Sequence, residues 1–203
     1  MTVSKTKAKL VDVARQLFAK MGVENTTMND IALASKKGRR TLYTYFKSKE
    51  DIYMAVVESE LDMLSDMMKR VAEKNISPDE KMIEMIYTRL DAVKEVVFRN
   101  GTLRANFFRD IWRVEKVRKR FDAKEILLFK DVLREGVEKG VFRIDDIDMT
   151  AELVHYCVKG IEVPYIRGHI GAKLDDETRD KYVVNLVFGA LHRTCLLYTS
   201  DAA

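Results

Sequence analysis

The sequence predicts an all-α protein, and three observations carry that expectation. Apolar residues recur at the 3.6-residue spacing of a helix along most of the chain. Only two prolines and nine glycines occur in 203 residues, too few to punctuate many strands and turns. No segment alternates apolar and polar residues with the period of two that a half-buried strand needs. Apolar residues at 47% and charged residues at 33% are the balance of a globular chain with a sizeable core. No apolar run approaches the ~20 residues of a spanning helix, so no membrane partner is expected. Neither a secretory signal nor a disulfide framework is legible, with Cys157 and Cys195 the only cysteines, and a cytoplasmic location is expected.

The elements follow in order. Leu10, Val13, Ala14, Leu17, Phe18 and Met21 form one apolar stripe, which Gly22 ends in a left-handed cap. Thr27-Met28-Asn29-Asp30 reads as a capping box opening a short helix, with Ile31 and Ala32 facing in. Lys36-Lys37-Gly38 breaks it, and Arg39 to Tyr45 forms another short helix, with Leu42 and Phe46 able to pack inward. Ser48-Lys49-Glu50-Asp51 is a second capping box, before a long run with Tyr53, Val57, Leu61, Leu64, Met68 and Val71 on one face. Ser77-Pro78-Asp79-Glu80 starts a helix to about Arg99, because proline suits the first helical position. Asn100-Gly101 has helical flanks and reads as a helix end. Residues 102–113 are expected as a short aromatic helix, and Val117 to Lys139 as a longer one closed by Gly140. Two apolar-rich helices, roughly 147–167 and 176–197, finish the chain, and residues 198–203 lack helical patterning.

Charge is concentrated at one end. Residues 1–55 hold eleven Lys/Arg against five Asp/Glu, net +6, while the other 148 residues are net −2. A basic first quarter on a near-neutral body is the electrostatic footprint of a nucleic-acid-binding head. Within it, three short helices, the second and third joined by a tight turn, precede a longer fourth: a helix-turn-helix arrangement. The major groove admits one helix, whose exposed face must offer donors to base edges and phosphates. Arg39, Arg40, Thr41, Tyr43 and Tyr45 supply such a face, with Lys36 and Lys37 in the turn before it.

At these residues the sequence resembles the TetR (tetracycline-repressor) family of bacterial regulators. The resemblance is carried by Thr26-Thr27-Met28-Asn29-Asp30-Ile31-Ala32 and by Thr41-Leu42-Tyr43-Thr44-Tyr45-Phe46-Lys47-Ser48-Lys49-Glu50-Asp51-Ile52. Ala14, Phe18 and Gly22 fit the same pattern. It implies that Thr27 caps the second helix and touches a phosphate. It also implies that Tyr43 and Lys49 hold phosphates, while Arg39, Arg40 and Thr41 read bases. The chain departs from the family where Ser35-Lys36-Lys37-Gly38 replaces an Ala-Gly-Val-Ser turn, which removes the serine cap of the third helix. Tyr45 stands at the position of a common histidine.

The resulting expectation is a helix-turn-helix DNA-binding domain over 1–50, joined by the long fourth helix to an effector-binding and dimerisation domain over 51–203. Val154, Val158, Ile161, Val183, Val187 and Leu191 are the expected homodimer face, on helices apolar around much of their circumference. Phe107, Phe108, Trp112 and His155 are the candidate effector pocket, whose surroundings allow an apolar or amphipathic small molecule, although a filled core would look the same. The protein is then a regulator acting on a palindromic double-stranded operator, repression being the family default and activation the variant. No cofactor, metal or catalytic residue is expected. The rival class is a helical-bundle metal enzyme, resting on the Glu-x-x-His step of Glu152 and His155. Neither His169 nor His192 supplies the second such step that a di-iron bundle needs.

Overall fold

The computed structural model describes residues 5–99, 111–167, 169, 170, 175, 178, 181, 182, 185 and 186. Among the described residues the regular elements are all helices: α1 (Lys5–Met21), α2 (Met28–Ala34), α3 (Arg39–Tyr45), α4 (Lys49–Ala72), α5 (Pro78–Arg99), α6 (Ile111–Glu138) and α7 (Ile147–Ile166). The fold class is therefore the expected one. One boundary differs. Helix α6 spans Ile111–Glu138 rather than beginning near Val117, so Trp112 belongs to it, and residues 102–110 of the expected aromatic helix lie outside the described residues. Phe107, Phe108, Val183, Val187, Leu191, Cys195 and residues 198–203 lie outside the described residues.

Local chemistry explains most helix ends. The α1 helix stops at Gly22, whose N–H still reaches the Phe18 carbonyl at 3.0 Å and whose φ of 86° turns the following chain out of the helix. In the α2 capping box, Thr27 Oγ1 accepts from the Asp30 N–H at 3.2 Å and the Asp30 carboxylate accepts from the Thr27 N–H at 2.8 Å. The same reciprocal pair forms between Ser48 and Asp51 at the start of α4. At α5 only half of the box is made: Glu80 accepts from the Ser77 N–H and hydroxyl. The α3 helix has Gly38 at its N-cap and no side-chain cap, as the missing serine implied.

The chain divides into two compact units, Met1–Asp66 with Ala92–Ala123, and Met67–Asp91 with Lys124–Ala203. The first unit holds a core in which Leu10, Ala14 and Phe18 of α1, Ile31 of α2 and Leu42 of α3 pack with Ile52 and Val56 of α4. Phe18 and Tyr53 meet edge to face, their ring centroids 6.4 Å apart. In the second unit, Met82, Met85 and Ile86 of α5, Phe129 and Leu133 of α6, and Ala151, Val154 and Val158 of α7 are buried.

Candidate nucleic-acid interface

The α2–turn–α3 segment owes its shape to the backbone of the turn. Ser35 ends α2, the Lys36 N–H reaches the Leu33 carbonyl, and the Lys37 N–H reaches back to Ala32, both at 3.0 Å. This is the Schellman arrangement, and it requires a left-handed residue at Lys36, whose φ is 55°. The Ser35 hydroxyl is buried and donates to the Ala32 carbonyl at 3.0 Å. The turn delivers α3 with Leu42 fully buried and Phe46, its C-cap, packed in the same core.

That orientation leaves Lys36, Arg39, Arg40 and Tyr43 exposed and Lys37, Thr41 and Tyr45 half-buried. Lys36, Lys37, Arg39 and Arg40 form no ion pair with a described residue, so these cations have no counter-charge among the described residues. Three of the expected contact residues are already engaged within the head. Tyr45 does not stand out from α3: its ring packs against the head core, leaving one side accessible. The Thr27 hydroxyl gives its proton to Asp30 at 2.7 Å, so it caps α2 but has no free donor for a phosphate. These hydrogen bonds from the Thr27 side chain, and secondarily from its backbone, hold the Asp30 carboxyl below its usual range. Lys49 donates to the carbonyls of Val23 at 2.7 Å and Glu24 at 3.2 Å, which fastens the α1–α2 loop to the start of α4. Only one of its three N–H groups remains for DNA. Sequence reasoning passed over Leu33, 70% exposed on α2, and the exposed Lys47 after α3.

Two other expected sites change. Val154 and Val158 are buried by their own chain and Ile161 is half-buried, so the first two cannot meet a partner. The large apolar residues that α7 exposes are Met149, Leu153 and Tyr156, which lie about 140–180° around the helix from Val158. Cys157 is exposed beside them. Of the candidate pocket, the side chain of His155 alone is described. It is fully buried, and its Nδ1 donates to Glu125 at 2.6 Å. Glu125 also pairs with Arg89, whose Nη2 reaches Glu162 at 2.8 Å. His155 is thus held in a buried charge network joining α5, α6 and α7 rather than lining an apolar wall. Glu152 is exposed, so the Glu152–His155 step does not assemble into a ligand pair.

Comparison with known proteins agrees with this geometry. Residues 10–56 match the model of the bacterial regulatory proteins, tetR family. The chain is 28% identical to the HTH-type transcriptional repressor KstR2 of Mycolicibacterium smegmatis over 152 residues, covering 72% of each protein. It is 23% identical to the HTH-type transcriptional regulator QacR of Staphylococcus aureus, over 76% of this chain and 83% of that protein. Among solved structures, a transcriptional regulator from Cytophaga hutchinsonii superposes with a TM-score of 0.73 at 22% identity, over 91% of this chain and 97% of that one. The fatty acid degradation regulator FadR from Bacillus halodurans gives 0.68 at 19% identity, over 95% and 100%. With the turn, the buried Leu42 and Phe46 and the matched residues in agreement, residues 10–56 form a DNA-binding domain like that of the bacterial regulatory proteins, tetR family, and the chain is a DNA-binding transcriptional regulator.

Proposed function

We propose that the protein is a homodimeric repressor that holds a palindromic operator through residues 1–50 and is released from it by a small-molecule effector. The observation that carries the reading is the uncompensated basic face of the turn and α3, set on a helix whose opposite side is anchored by Leu42 and Phe46. Arg39, Arg40 and Thr41 lie in the first turn of α3 and read base edges, since guanidinium forks match guanine and threonine suits a thymine methyl. Lys36, Lys37, Tyr43 and the remaining N–H of Lys49 meet phosphates, with Tyr45 adding its accessible edge. Repression is favoured over activation by the 28% identical KstR2, which is named a repressor. An effector that prefers a DNA-incompetent arrangement shifts the population off the operator.

A binding selection over randomised duplexes tests the reading, run with the wild type, Arg40→Ala and Lys36→Ala. Arg40→Ala is expected to lose about 1–3 kcal/mol at one base-pair position and relax the preference there. Lys36→Ala is expected to weaken all duplexes alike. Selection of no sequence by the wild type sinks the proposal. A changed base preference in Lys36→Ala alone would mean that α3 is rotated differently in the groove.

A further inference from the structure

We propose that Lys7 of α1 is a further phosphate contact, extending the DNA interface from the helix-turn-helix to the amino-terminal helix. The inference rests on the DNA-binding reading above and adds a residue that the helix-turn-helix motif does not contain. Lys7 lies three, four, seven and eleven positions before Leu10, Val11, Ala14 and Phe18, all buried. It therefore sits on the stripe of α1 that faces the core. A lysine there would be expected to be covered, yet it is exposed, because it overshoots the end of the core. Its ammonium stands 5.8 Å from the centroid of the Phe46 ring. That distance is within the ~6 Å reach of a cation–π contact.

Phe46 is the C-cap of α3, and Lys47 follows it with its side chain exposed. The ring thus fixes a cation from α1 at the carboxyl end of the recognition helix. Lys36, Lys37, Arg39 and Arg40 stand at the other end. Seven residues of helix span about 10 Å, close to the ~12 Å width of the major groove. A helix lying in the groove with cations at both ends can meet the backbones on either side. Lys7 makes no ion pair with a described residue, and the nearest acid on its own helix, Asp12, is bonded to Arg15 and Gln16. Holding the ammonium on a ring also lowers the rotamer entropy that a long side chain loses when it binds. Lys5 and Lys9, one turn apart, lie on the opposite, solvent side of α1 and provide an internal control.

The experiment measures duplex binding against salt concentration for the wild type, Lys7→Gln, Lys7→Arg and Lys9→Gln, each checked for an unchanged thermal melt. Lys7→Gln is expected to make the slope of log K against log salt shallower by about 0.9 and to weaken specific and random duplexes by the same factor. Lys7→Arg and Lys9→Gln are expected to keep the wild-type slope. A wild-type slope in Lys7→Gln overturns the proposal, and so does an equal loss in Lys9→Gln, which would signal bulk charge alone. Absence of salt-dependent binding in the wild type overturns the DNA-binding reading along with it, a result distinct from either.

Discussion

Lys36 occupies the left-handed position of a Schellman cap, with a φ of 55°, where Gly140 does the same at 69° at the end of α6. For a residue with a Cβ that conformation costs about 1–2 kcal/mol, against the ~0.5–1 kcal/mol of extra chain entropy that glycine loses on folding. Lys36→Gly is therefore expected to raise stability by about 0.5–1 kcal/mol, read as a higher urea midpoint, while weakening DNA binding by one cation. A stable fold here thus tolerates local strain at a position that faces the proposed phosphates. The reverse holds at Gly136. A Cβ there would overlap the Phe142 ring, which is buried over the end of α6. Gly136→Ala is expected to cost about 1–3 kcal/mol through overpacking, although alanine is the better helix former. A higher urea midpoint in that variant would mean that the ring can leave at little cost. The turn itself is legible as a helix break at Lys36-Lys37-Gly38, though not its left-handed residue. The Gly136–Phe142 contact was not, because nothing local in the sequence marks which ring covers a helical glycine.

At the scale of the helix, α7 shows what periodicity carries and what it leaves open. A helix apolar on most sides has one face for its own chain and another for a partner, and hydropathy does not distinguish them. Val154 and Val158 were read as partner-facing and are core; Val158 is 1% exposed. Leu153, 57% exposed, lies with Met149, Tyr156 and Gly160 on the opposite side. Two substitutions separate these faces. Leu153→Glu is expected to yield a folded monomer, whereas Val158→Glu buries an uncompensated charge and costs several kcal/mol, so it unfolds. Sedimentation velocity together with helix content by circular dichroism reads both outcomes. A folded dimer from Leu153→Glu places the interface elsewhere. The network of Arg89, Glu125, His155 and Glu162 was equally hidden. Arg89 is 1% exposed, yet in the sequence it looks like any charged residue of an amphipathic helix. Only packing of three helices from distant parts of the chain reveals that its partners are brought inside.

At the scale of the whole molecule, the head was legible because its signals are local. Capping residues, turn glycines and a stripe of apolar positions within some fifty residues specify each short helix and its neighbour. The effector core leaves no such signature, since its elements are long helices whose function depends on which side chains meet. The proposed dimer nevertheless makes a demand that a single head does not. Two heads related by a two-fold axis need half-sites on one face of the duplex, about one turn or 34–36 Å apart centre to centre. Inserting about 5 base pairs between the half-sites moves one of them half a turn around the helix axis. The wild-type dimer then reaches only one half-site, and its affinity is expected to fall toward that for random DNA at the same salt. The Leu153→Glu monomer, already limited to single half-sites, is expected to bind both duplexes equally and weakly. Fluorescence anisotropy on the two duplexes, at one fixed salt concentration, gives four affinities. Equal wild-type affinity for both spacings would mean that the heads act independently, and the two-fold operator model would fall even if each head binds DNA.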